Sequence, residues 1–178
     1  MLNRLLLPPY SELREYEGKG NYAIKKYYQF PYSLFYQHKL KMMVQMMERH
    51  YGNCLDFGSG PGIFLPELRR HAKRVIGYEK NEPLHPRLEF DLIVCSSVLE
   101  FCELESTLTF LKGILKPNGH LIVASPMQSP LSKAYFSAIK DTNKRHSHVD
   151  IIKAISTKFK VVSKKEWLGL YFSLKATK

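Results

Sequence analysis

Cysteine is scarce in this chain. Cys54, Cys95 and Cys102 are odd in number and lack CxxC spacing, which argues against a disulfide framework or a zinc ribbon. The first two stand in apolar runs, where reduced core cysteines are expected. Long apolar runs are absent as well. The N-terminal "MLNRLLLPP" offers three consecutive leucines before Pro8 and Pro9, too few for a signal peptide or a bilayer span. There is no internal repeat and no Ser, Gln or Pro tract, so low-complexity and repeat architectures are excluded. These absences leave a globular protein, expected to be cytoplasmic, with no transmembrane segment.

What is present fits one domain. A length of 178 residues with 44% hydrophobic residues can bury a core without metal or disulfide, but leaves no room for a second large domain. The expected organisation is a single domain over 1–178, with an N-terminal helical lid segment (1–50) and an α/β core (51–178). The net charge of +11 is unevenly spread. Residues 1–50 carry a net +4, residues 51–100 a net −1 and residues 101–178 a net +8. The basic surface belongs to the two ends, and the middle is near neutral.

Periodicity supplies the elements. Residues 9–18 have a short helical pattern, and "GKGNY", with Gly18 and Gly20, reads as a flexible joint. Residues 33–50 place Leu34, Leu40, Met43, Val44 and Met47 at three- and four-residue intervals, an amphipathic helix with a methionine stripe turned to the core. Strands and helices then alternate: "NCLDF", a helix over 61–72, "RVIGYE", "FDLIVCSS", a helix over 104–116 stopped by "KPNG", "HLIVAS", and helices over 131–140 and 148–159. The pattern predicts a doubly wound, mostly parallel, Rossmann-like sheet with helices on both faces. "KVVSKKEW" and "LGLYFSLKA" are too closely joined for a parallel crossover and predict a C-terminal antiparallel hairpin.

The informative stretch is "CLDFGSGPGIF". In such a sheet the loop after the first strand meets the ligand, and Gly58, Gly60 and Gly62 let backbone turn tightly and be approached. Ile63 stands where a dinucleotide loop needs its last glycine, and no Gly-Lys-Ser/Thr ending follows for a P-loop. Asp56, two residues before the first glycine, would repel a phosphate and instead suits a cation or donor. Glu79 ends the next strand, seventeen residues after Gly62, where an acid can take ribose hydroxyls. A nucleoside carrying positive groups fits this pattern better than a nucleotide.

Here the sequence resembles the class I S-adenosylmethionine-dependent methyltransferases, in particular the UbiE-like or type 11 group. The likeness spans roughly residues 50–126: Asp56-Phe57-Gly58-Ser59-Gly60-Pro61-Gly62 as the first motif, Glu79 after the second strand, "FDLIVCSSVLEF", and "LKGILKPNGHLIVASP". The resemblance implies an enzyme (EC 2.1.1.-) with S-adenosylmethionine as cofactor. Asp56 would orient the methionyl amino end, with Gly58, Ser59, Gly60 and Gly62 forming the loop against it. Glu79 would bind the ribose, Lys80 and Asn81 would lie beside the adenine, and Ser96 near the methionyl end.

The chain departs from that family in one place. Only eleven residues separate Glu79 from Asp91, and two prolines among them discourage a helix, so the usual third strand is missing. A sheet of about six strands and a more open adenine side are expected. Phe101 replaces the histidine of the "VLEH" pattern. No D/N/S-P-P-Y/F or Pro-Cys motif follows the fourth strand of the family pattern, which argues against amino- or C5-methylation of nucleic acid bases. The basic, aromatic segments 21–39 and 125–150 suit a small-molecule or lipid-like, anionic acceptor. An RNA or ribonucleoprotein acceptor and a non-catalytic binding module are the alternatives, since aromatics among lysines also suit bases. Candidate bases are His148, His146, Glu100 and Tyr28. His146 or His148 could equally lie on the surface, Ser147 or His148 could begin the helix, Glu100 could be a satisfied helix-end acid and Tyr28 could pack the N-terminal segment. No metal site is expected.

Overall fold

The computed structural model of the protein describes residues 5–16, 24–79, 88–138 and 146–178. A six-stranded sheet forms the centre, in the spatial order β2-β1-β3-β4-β6-β5. Its strands are β1 (Tyr51–Phe57), β2 (Ala72–Tyr78), β3 (Phe90–Ser96), β4 (Leu115–Pro126), β5 (Lys160–Trp167) and β6 (Tyr171–Thr177). The first four are parallel neighbours, and β6 pairs antiparallel with both β4 and β5. The expected six-stranded, Rossmann-like sheet with its antiparallel C-terminal hairpin is therefore the observed architecture. β6, the hairpin's second strand, lies inside and β5 at the edge, because β6 supplies the apolar residues: all but its last are buried.

Alternation along the central strands builds two cores. Ile93 and Cys95 of β3 face one side, joining Leu121, Val123, Phe172 and Leu174. That face is covered by Leu104, Leu108 and Leu111 of α3 (Leu104–Ile114) and Ile151 and Ile155 of α5 (His148–Lys158). Leu92 and Val94 face the other side with Cys54, Ile122 and Ala124, under Leu40 and Met43 of α1 (Tyr32–Val44) and Leu68 of α2 (Leu65–Leu68). Leu5, Leu13 and Ile24 from the N-terminal segment close this second core. Burial on both faces is what permits a parallel sheet whose strands read as nearly continuous apolar runs. Cys54 and Cys95 are buried and Cys102 is half-buried, all three as free thiols.

Several boundaries differ from the periodic pattern. The stretch at 61–72 contains only the four residues of α2, because Gly62 takes φ +78°, outside any right-handed helix. Leu34, placed in the apolar stripe of α1, is 57% exposed, and the helix ends at Val44 rather than near His50. "KPNG" is not an interruption between α3 and the strand. β4 begins at Leu115, paired with Phe90, and the next register pair is Leu92 with His120, so residues 116–119 bulge out with Asn118 at φ +61°. The 9–18 pattern is a 3-10 helix over Tyr10–Tyr16, and α4 covers Pro130–Ala138. Gly18, Gly20, Lys80 and Asn81 lie outside the described residues.

Candidate functional site

Chain order reverses between β1 and β3, so the crevice at their carboxyl ends is the place for a ligand. β1 delivers Asp56 there. The residue is 2% exposed, and its Oδ2 has no hydrogen-bond partner among the described residues. Burial pushes its pKa up from 3.8 to about 7, the Glu79 carboxylate adds to the rise, and the Lys39 ammonium opposes it. A buried carboxylate held at such cost is primed to receive a cation.

The loop after Asp56 is folded for close approach. Gly58, Gly60 and Gly62 all have positive φ, and a Cβ on Gly58 would stand 2.4 Å from Val98 Cγ2. The loop is tied to β2: the Gly58 and Ser59 amides donate to the Tyr78 carbonyl at 2.8 and 3.1 Å, and the Gly60 amide donates to Glu79 Oε1. Gly77 is also required, since a Cβ there would press on Ser59 Oγ at 2.9 Å. At the end of β3, Ser96 Oγ is buried and has no partner among the described residues, a second orphan on the same crevice. Among the described residues, Asp56 Oδ2 and Ser96 Oγ are thus two buried polar atoms without a partner on neighbouring strands, beside a glycine turn packed too closely against Val98 for a Cβ at Gly58. The residues present therefore fit a ligand with an ammonium group and a sugar, as S-adenosylmethionine has.

A group not expected from the sequence completes the crevice. Lys39 of α1 is 2% exposed. Its Nζ donates to Ser97 Oγ at 2.8 Å and to the Tyr27 hydroxyl at 3.3 Å, and lies 5.7–5.8 Å from the ring centroids of Tyr27, Tyr36 and Tyr171. Among the described residues no carboxylate is within salt-bridge distance of it. The signal was in the helix: Lys39 follows Tyr36 by three and precedes Met43 by four, which puts a lysine within the buried stripe.

The side chain of each of the four candidate bases has a partner of its own. Glu100 is buried in the 3-10 turn Leu99–Phe101 and accepts from Ser125 Oγ at 2.6 Å. His146 is exposed; its amide donates to the Glu100 carbonyl at 2.9 Å, and its Nε2 is 3.0 Å from the Cys102 carbonyl. His148 opens α5, its Nδ1 accepting from the Gln128 amide at 3.0 Å, while Ser147 caps that helix through the Asp150 amide. The Tyr28 hydroxyl donates to the Pro8 carbonyl at 2.8 Å, and burial pushes its pKa up to about 12. That pins the N-terminal segment and holds the phenol protonated. Among the described residues no three His, Cys, Asp or Glu stand close enough to hold a metal, and no helix is long and apolar enough to cross a membrane.

Comparison with solved structures gives the same frame. The N-methyltransferase NodS from Bradyrhizobium japonicum WM9, in complex with S-adenosyl-L-homocysteine, is similar at a TM-score of 0.66 and 16% identity, covering 95% of this chain and 97% of its own. A SAM-dependent methyltransferase from Aquifex aeolicus is similar at 0.59 and 16%, covering 77% and 88%. A Haloferax volcanii protein in complex with the Trm112 methyltransferase activator is similar at 0.63 and 11%, covering 80% and 89%. No curated protein sequence matches the chain. The fold is that of the S-adenosylmethionine-dependent methyltransferases. A family model described as a methyltransferase domain matches residues 22–158, and the chain belongs to that methyltransferase family.

Proposed function

We propose that the protein transfers a methyl group from S-adenosylmethionine to a small or amphiphilic, anionic acceptor. The observation that carries the cofactor assignment is the buried Asp56 Oδ2 beside the glycine turn, without a partner among the described residues. In this reading Asp56 pairs with the methionyl ammonium, Gly58, Ser59, Gly60 and Gly62 bring backbone against the same end, Ser96 Oγ donates to it, and Glu79 takes the ribose hydroxyls. Lys80 and Asn81 are assigned to the adenine side. The cofactor, when bound, supplies an electrophilic methyl on a sulfonium. What the chain supplies is alignment of the acceptor in line with that methyl and a site closed to water.

The acceptor side is read from its charge. The 3-10 turn Ile24–Tyr27 and the start of α1 bring Lys25, Lys26, Tyr27, Tyr28 and Tyr32 together. Cations among aromatic rings favour an acceptor with an anionic group on an apolar body. In-line displacement does not demand a strong base. Where one is used, Glu100 is the candidate that is buried near the carboxyl end of β4, with His146, His148 and Tyr28 engaged in contacts that order the surrounding loops.

Calorimetric titration with S-adenosylhomocysteine tests the cofactor assignment. Micromolar binding to the wild type, lost in Asp56→Ala and Glu79→Ala, is expected. Absence of binding at millimolar ligand would overturn it and favour a non-catalytic binding module.

A further inference from the structure

Lys39 is a buried cation at the carboxyl ends of β3 and β4, with no acidic partner in contact among the described residues. Ser97, which accepts one of its hydrogen bonds, directly follows β3, and Tyr171, which lends a ring face, pairs with Pro126 at the end of β4. Asp56 is near enough to feel the charge but makes no ion pair with it. Methionine or leucine would fill the same volume without the cost of desolvating an ammonium. Three tyrosine faces and two hydroxyl contacts meet that cost only in part, since none of them carries a negative charge.

An ammonium has three donors. Two are used, by Ser97 Oγ at 2.8 Å and by the Tyr27 hydroxyl at 3.3 Å, the second a long contact that a better acceptor can replace. Tyr27 belongs to the short 3-10 turn that covers this end of the sheet, so its hydroxyl is the contact that yields when something enters. What replaces it must bring negative charge, because an ammonium binds an anionic oxygen more strongly than the neutral hydroxyl displaced. It must also be compact at the contact, because a phosphate would need several further donors, and the ring faces provide none.

We propose that Lys39 is the residue that reads the acceptor, and that it selects an acceptor presenting a single anionic oxygen, a carboxylate or a phenolate. This rests on the methyl-transfer reading and narrows the acceptor from anionic to oxygen acid. Ser97 holds the ammonium in place from below: its φ of +56° is a left-handed conformation uncommon for serine, and it aims the hydroxyl at Nζ. Lys39 is thus a specificity residue, and the rings of Tyr27, Tyr36 and Tyr171 exclude water around the contact.

The test uses benzoate, benzamide and phenyl phosphate, titrated into the full-length protein saturated with S-adenosylhomocysteine. Wild type is expected to bind benzoate at least tenfold more tightly than the uncharged, nearly isosteric benzamide and more tightly than phenyl phosphate. Lys39→Met and Lys39→Gln, each saturated with S-adenosylhomocysteine, are expected to lose the benzoate preference, while Tyr27→Phe keeps it. Equal affinity for benzoate and benzamide, no binding of either, or a preference that survives both Lys39 variants would overturn the proposal. Tighter binding of phenyl phosphate would overturn the single-oxygen assignment. Should neither Lys39 variant fold, the wild-type ratio of benzoate to benzamide decides. Failure of S-adenosylhomocysteine to bind counts against the cofactor reading alone, and the three probes are then compared on the protein without it.

Discussion

Asp56 and Glu67 are both buried acids, 2% and 3% exposed, eleven residues apart in the chain. Glu67 is saturated. The Leu6 amide donates to its Oε2 at 2.6 Å, Arg70 Nη1 donates at 3.1 Å, and His71 Nε2 is 3.1 Å from Oε1. Asp56 keeps an oxygen without a partner among the described residues. The contrast separates two uses of a buried carboxylate. One fastens structure, drawing the N-terminal segment down onto α2; the other leaves an oxygen open to a ligand.

Neutralising Asp56 sharpens the contrast most. Asp56→Asn keeps the shape and removes the charge, so affinity for S-adenosylhomocysteine should fall at least about a hundredfold, the scale of losing one partner of a buried charge pair. Stability should move the other way. A carboxyl whose pKa is near 7 folded and near 3.8 unfolded carries a penalty at neutral pH that integrates to ~4 kcal/mol at most. The variant should melt at a higher temperature than the unliganded wild type at pH 8, as thermal scanning would show. A lower melting temperature would mean that Asp56 is a structural acid like Glu67.

pH probes the same group without mutation. Between pH 4 and 7 the folded protein holds a proton on Asp56 that the unfolded chain has released, so stability of the unliganded protein falls as pH rises through this window and levels off above it. Cofactor binding needs the ionised form. Affinity for S-adenosylhomocysteine should therefore weaken about tenfold from pH 8 to pH 6, following the protonated fraction of a group near 7. Titrations at the two pH values check this, and Asp56→Asn should show a flat profile. The charges that bear on Asp56 are Glu79, which raises its pKa, and Lys39, which lowers it. Removing Lys39 should shift the midpoint upward.

The residues proposed to hold the cofactor stand out in the sequence because they are contiguous. Asp56 stands at the end of one strand with the three glycines in the loop after it, Glu79 follows the next, and the shortened connection shows as only eleven residues between Glu79 and Asp91. Those proposed to read the acceptor do not, because they are assembled from distant pieces. Tyr27, Tyr36 and Lys39, Ser97 and Tyr171 come from a 3-10 turn, α1, the end of β3 and the start of β6, and only the folded sheet puts them around one ammonium. The histidines at 146 and 148 drew attention as titratable residues near a helix start, yet their ring nitrogens hold backbone groups. Helix lengths were overestimated wherever a left-handed glycine or a bulge intervened, as at Gly62 and residues 116–119. Such features depend on a single φ rather than on any period.

The smallest expected effect tests the fastening acid. Glu67→Gln keeps an oxygen for the Leu6 amide but loses the charge that strengthens that bond and the contacts to Arg70 and His71. A loss of ~1–2 kcal/mol is expected, the scale of weakened charged hydrogen bonds at a buried site. The sign is opposite to that of Asp56→Asn, although both changes replace a buried acid by its amide. Affinity for S-adenosylhomocysteine should stay within about threefold, because Glu67 lies under the N-terminal segment rather than in the crevice, and a difference of that size is under 1 kcal/mol. Urea unfolding of the two variants side by side reads the signs, and titration reads the affinities. If Glu67→Gln lost the ligand as completely as Asp56→Asn, the N-terminal segment would be part of the cofactor site, and fastening and binding would be one function of the same cover.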